Sequence, residues 1–116
     1  MQKTIITFPA ASIANAGRID CNTGQPAVFS LLGTEYLSVA ANPVGSTNWS
    51  AGVVTLRVGN NQGGPFRSLP STITVTASNP VTTVVDVRGY GWAVLDVTTA
   101  ESSVTLDFAV CLYRSN

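Results

Sequence analysis

The chain is 116 residues long, carries six acidic and six basic residues, and contains no histidine. One domain is the expectation for that length, spanning residues 1–116. The scattered cations and zero net charge exclude the clustered Lys and Arg that a phosphate backbone demands, so nucleic acid is not an expected partner.

The hydrophobic pattern repeats every two residues, and no window carries a helical stripe, so the chain is expected to be all-β. Residues 4–8 read as a first strand, and residues 1–17 as an extended N-terminal strand or arm. The opening KTIITFPAASIANA makes a poor signal peptide, because Thr7 and Pro9 interrupt a short apolar run, although Ala14-Asn15-Ala16 mimics a cleavage site. Synthesis and folding in a cytoplasm are expected. No run reaches the ~18 apolar residues that cross a bilayer, and no membrane association is expected.

Strands are next expected at 27–32 and 35–40, followed by loop signals at Asn42-Pro43 and Gly45-Ser46. Over 53–58, Val54, Leu56 and Val58 share one face, with Thr55 and Arg57 on the other. Over 71–77, Ile73, Val75 and Ala77 point inward while Thr72, Thr74 and Thr76 face out. Three more strands are expected at 81–87, 90–97 and 104–113, the last with Val104, Leu106, Phe108, Val110 and Leu112 on one face and Cys111 on the other. Short strands with turn signals every 8–12 residues predict a single antiparallel β-sandwich, either jelly-roll or immunoglobulin-like.

One strand breaks the inside-outside rule. In YGWAVLDV the set Tyr90, Trp92, Val94 is as apolar as the set Ala93, Leu95, Val97, so both faces require cover. Either a loop or arm of the same chain lies over Trp92, or the face is a contact between subunits, where Trp and Tyr are favoured anchors. Tyr90, Trp92, Val94 and Tyr113 are the interface candidates, with Tyr113 and Cys111 extending the patch from the last strand.

Reactive chemistry is sparse. Without histidine the commonest general base, the Ser-His-Asp and Cys-His arrangements and most zinc sites are lost. Asp86, Asp96 and Asp107 are left as the acids of a glycosidase-like pair, but each lies opposite the more apolar face of its strand, where solvation or pairing with Arg88 or Arg57 is the ordinary state. They also lack the spacing of a calcium loop. Gly59-Asn60-Asn61-Gln62-Gly63-Gly64 follows a strand and precedes Pro65 and another strand, so it reads as a hairpin rather than a phosphate cradle. No catalytic residue, metal or cofactor is expected. Cys21 and Cys111 form an even pair, but a cytosolic product keeps thiols reduced, and both are expected free.

Charged residues make up 10% of the chain, against about a quarter in a typical domain. Either this is a Thr-rich β surface, or partner subunits cover much of it, since charge is depleted at interfaces. Exposed aromatics such as Trp49, Tyr90 and Trp92 would also suit stacking on sugar rings.

WSAGVVTLRVGNNQGGPF, from Trp49 to Phe66, and the later VDVRGYGWAVLDVTTAESSVTLDFAVCLYR resemble a pattern in small β-sandwich accessory proteins of tailed-phage virions. The shared features are a Trp-small-Gly strand entry, a Gly-rich hairpin before an aromatic, and an Arg-Gly strand leading to a final strand. They are turn and core features covering about half the chain. The resemblance implies a virion protein of the head decoration or cement type. Its expected partner is the major capsid protein or another virion protein, and its expected state a homo-oligomer, with a trimer favoured. The alternative is a carbohydrate-binding or host-recognition module.

Overall fold

Alternating apolar and small polar residues fold here as strands, with no helix among the described residues. The computed structural model describes residues 2–12, 17–19, 28–43, 52–75, 81–99 and 105–114. Expectations for Cys21, Trp49, Thr76, Ala77 and Val104 lie outside them, as do those for the side chains of Thr72, Thr74, Val75 and Leu106. The strands are β1 (Gln2–Ser12), β2 (Gly17–Arg18), β3 (Val28–Ser30), β4 (Tyr36–Pro43), β5 (Gly52–Gly59), β6 (Arg67–Val75), β7 (Val81–Asp86), β8 (Trp92–Thr99) and β9 (Thr105–Arg114).

All pairings are antiparallel. One sheet runs β1-β9-β4-β7, and the other β2-β8-β5-β6 with β3 also paired to β8. Gly17 and Arg18 sit opposite Val97 and Asp96, and Val28 to Ser30 opposite Val94 to Trp92, so β2 and β3 are two pieces of one interrupted strand. Counted that way the sandwich has the strand order of a jelly roll. An immunoglobulin-like sandwich would put its first two strands side by side, whereas only β5 and β6 are sequence neighbours paired here among the described residues.

The ladders explain the core. Leu37, Val39 and Ala41 of β4 stand opposite Leu112, Val110 and Phe108 of β9, and Val54, Leu56 and Val58 of β5 opposite Val97, Leu95 and Ala93 of β8. All twelve are buried. Facing one another across the sandwich, they remove apolar area from water at roughly 1.5–3 kcal/mol per large side chain.

Two details depart from simple alternation. Thr55 lies on the outer face as expected, yet it is buried, with its hydroxyl 3.0 Å from that of Thr98. β6 begins at Arg67 rather than 71, because the register slips between Thr55 and Arg57 opposite the stretch that holds Pro70. A proline cannot donate to a ladder, and an edge strand with a bulge accommodates it.

Candidate functional site

Three connections meet at one end of the sandwich. The β3–β4 turn is closed by the Thr34 N–H donating to the Leu31 carbonyl at 2.6 Å, and the β7–β8 turn by the Tyr90 N–H donating to the Val87 carbonyl at 3.2 Å. Gly89 occupies the third position of the second turn with φ +92°, a conformation a side chain resists. The β5–β6 hairpin turns through Asn61 to Gly64, whose N–H reaches the Asn61 carbonyl at 3.0 Å.

Backbone hydrogen bonds then lace these turns together. Leu31 donates to the Gly91 carbonyl at 2.7 Å and Gly91 to that of Gly59 at 3.1 Å, while Val87 donates to Glu35 at 2.9 Å and Glu35 to Tyr113 at 2.8 Å. Turns tied to one another in this way hold their side chains in fixed relation, as a recognition surface needs.

Two hollows flank the hairpin. The larger, about 540 Å3, opens on the flank where β1 and β3 leave their outer edges unpaired among the described residues. Thr4 and Ile6 come to it from β1, Val28 and Phe29 from β3, and Leu112 and Arg114 from β9; Trp92 forms part of the wall and Leu32 the rim. On the opposite flank β6 and β7 approach each other and close the sandwich. The smaller hollow, about 260 Å3, is lined by Tyr90, Phe66, Asn60, Asn61 and Arg67. The Arg18 guanidinium lies 5.0 Å from the centre of the Phe66 ring, a cation–π arrangement that fixes that aromatic.

The four interface candidates do not form one surface. Tyr90 is half-buried, packs partly on the core and lines the smaller hollow, while Trp92 is half-buried in the wall of the larger one. Val94 has no exposed area at all, because the chain itself covers the outer face of β8 at that point. Its ladder neighbours there are Val28 and Arg57. Tyr113 sits on the outer face of the other sheet, beside Tyr36 and Lys3. The neighbouring Cys111 side chain holds the Tyr113 phenol above the usual tyrosine range. Cys111 carries a free thiol on the outer face.

The aspartates do not converge. Asp86 and Asp107 stand opposite Tyr36 and Asn42, six residues apart on β4 and therefore about 20 Å along the sheet, and Asp96 belongs to the other sheet. Asp86 is held by Arg88 at 2.6 Å and Asp96 by Arg57 at 2.9 Å, the arginines named from the sequence. The Arg88 partnership keeps the Asp86 carboxyl below the usual range, first through side-chain hydrogen bonds and then through the Arg88 N–H.

Sequence reasoning missed Leu32, 77% exposed at the rim of the larger cleft. Its signal was local: in Leu31-Leu32-Gly33 one leucine enters the core and its neighbour in a tight turn then points away from it.

No protein family matches the chain by sequence, and no curated protein does. Among solved structures it is similar to the crystal structure of the SPBc2 prophage-derived protein YomS, with a TM-score of 0.65 and 12% sequence identity over 96% of this chain and 92% of that one. The likeness is one of fold, and it spans nearly the whole of both chains.

Proposed function

We propose that this protein is a structural component of a tailed-phage virion, of the head decoration or cement kind, that binds assembled shell subunits and stabilises them. The observation that carries this reading is the apolar cleft between the edges of β1 and β3 that are unpaired among the described residues, with Trp92 in its wall and Leu32 at its rim. Such a cleft suits an extended segment of a shell protein, which adds backbone hydrogen bonds along an edge and places side chains between the sheets. The likeness in fold to a prophage-derived protein supports a phage origin, and the low charge suits a surface that partners cover. In this reading the protein is made in the host cytoplasm, resides on the virion, is not an enzyme and needs no cofactor. A ligand that exists only in the assembled shell stabilises that state by mass action.

The test is binding to capsids that lack the protein, followed by co-sedimentation, together with its copy number per particle by quantitative mass spectrometry. Copies on the order of hundreds, following the symmetry of the shell, are expected. Leu32→Ser, a change at an exposed rim, is expected to weaken co-sedimentation at unchanged melting temperature. A handful of copies per particle, or full binding by both Leu32→Ser and Trp92→Ser, overturns the proposal.

A second reading, glycan recognition on a virion or cell surface, is favoured by the smaller hollow. Tyr90 and Phe66 offer ring faces there, and Asn60, Asn61 and Arg67 offer polar groups of the kind that fix a sugar's hydroxyls. Glycan-array binding abolished by Tyr90→Ala would favour it over shell attachment.

A further inference from the structure

The outer face of the β1-β9-β4-β7 sheet plays no part in the cleft, and its residues fall into rows fixed by the ladders. Lys3, Tyr113, Tyr36 and Asp86 form one row across the four strands. Ile5, Cys111, Ser38 and Val84 form the next, and Ala109, Ala40 and Thr82 continue it. Those two inner rows hold no charge. Ile5 and Val84, at the two edges of the sheet, are 60% and 65% exposed, large apolar side chains with nothing over them among the described residues. The charges of Lys3, Asp86 and Arg88 lie at the rim. An uncharged centre within a charged rim is the anatomy of a protein interface.

The rows are also self-complementary. A two-fold axis running along the strands between β9 and β4 exchanges β1 with β7 and β9 with β4. It sets Ile5 of one copy against Val84 of the second, Lys3 against Asp86, Cys111 against Ser38 and Ala109 against Ala40. Every pair then occurs twice, as an isologous contact requires. Because the axis lies along the strands, it forbids any slip between the copies in that direction. Two twisted sheets meeting at about 30° and about 10 Å satisfy the same symmetry.

We propose that a second copy of this chain packs on this face, giving a two-fold, face-to-face dimer of sandwiches. Four strands about 4.8 Å apart and the eight paired rungs of β4 and β9 span roughly 500 Å2 in plan. Side-chain relief raises the accessible area towards the ~800 Å2 per partner of a standard interface. A two-fold pair thus replaces the trimer expected from the sequence, and the cleft on the β1–β3 flank stays open for a shell segment.

The test uses the full chain in light scattering and sedimentation at high micromolar concentration, where a dimer is expected. Ile5→Lys and Val84→Lys, both at exposed sites, should each weaken dimerisation roughly tenfold or more, and Ile5→Lys combined with Val84→Glu should restore it. In a Cys21→Ser, Cys111→Ser background, Ile5→Cys with Val84→Cys should give a disulfide-linked dimer under mild oxidation. Within one chain these positions are three strands, about 14 Å, apart and out of bridging range. Capsid co-sedimentation of the Val84→Lys protein separates the two proposals, since a monomer that still binds shells leaves the shell reading standing. A monomeric or trimeric wild type, or a dimer untouched by both lysine substitutions, overturns this inference.

Discussion

Phe66 lies so close over Gly59 that a Cβ at position 59 would stand 3.1 Å from its Cδ1 and 2.5 Å from the Pro65 carbonyl oxygen. The second of these is a backbone atom, so relief requires the hairpin itself to move. Gly59→Ala is expected to cost about 1–3 kcal/mol in urea unfolding. Gly63→Ala, in the same hairpin with nothing within 4 Å of the added carbon, should cost far less. Equal losses would disprove the packing argument.

Phe108 stands at the centre of the sheet that holds β1 and β4, with Phe8 opposite it on one side, Ala41 on the other, and no exposed area. Phe108→Ala should lower stability by about 3–5 kcal/mol, the transfer loss plus an unfilled cavity. A shift below about 1 kcal/mol in chemical denaturation would mean the site collapses around the gap.

The eight strands expected from periodicity all form, with ends displaced by a few residues, because alternation is a local signal that the ladder preserves. Gly17–Arg18 escaped notice since a two-residue rung has no period to detect. The jelly-roll order was equally illegible. It rests on pairings such as Gln2 with Arg114, which bring together opposite ends of the sequence. YGWAVLDV did announce that both faces of its strand are covered, and Val94 is buried within the chain. What the segment did not reveal is the divergence of its neighbours, with Tyr90 and Trp92 in separate hollows and Tyr113 on the other sheet. The cleft was invisible for the same reason as the topology, since Ile6, Val28, Trp92 and Leu112 meet only once the sheets have formed.

Arg57 and Asp96 form a partly buried ion pair across the β5–β8 ladder. Asp96 Oδ1 and Arg57 Nε are both buried with no hydrogen-bond partner among the described residues, so the pair rests on the 2.9 Å charge contact between Nε and Oδ2. A double-mutant cycle with Arg57→Met and Asp96→Asn should give a coupling of about 1–3 kcal/mol, above the ~0.2–1 kcal/mol of exposed pairs. A coupling near zero would show that solvent screens it.

Asp86 has a carboxyl pKa depressed in the folded state by its hydrogen bonds to Arg88. A depressed carboxyl contributes stability above its unfolded pKa, and that contribution disappears as pH falls through the lower folded value. The wild-type advantage over Asp86→Asn should therefore be present at neutral pH, decline below about pH 4, and shrink in high salt because the pair is exposed. Melting curves of the two proteins that stay parallel down to strongly acid pH would contradict this.

Tyr113 should ionise at a higher pH than an ordinary tyrosine for as long as Cys111 is its neighbour. Cys111→Ala should bring its midpoint back towards about 10 in an ultraviolet pH titration. No movement would remove the thiol as the cause.

β9 lies between β1 and β4, so among the described strands β1 has no partner until β9 is made. From Ser12 to Thr105 is a wait of about 90 residues, roughly 5–20 seconds at ordinary rates of protein synthesis. During that interval the nascent chain holds the β5–β6 hairpin, its one short local pairing among the described strands, while an apolar first strand stays unmatched on the ribosome. Termination ahead of β9 would thus release a chain in which an entire sheet has lost its middle, with β1 left as an adhesive end.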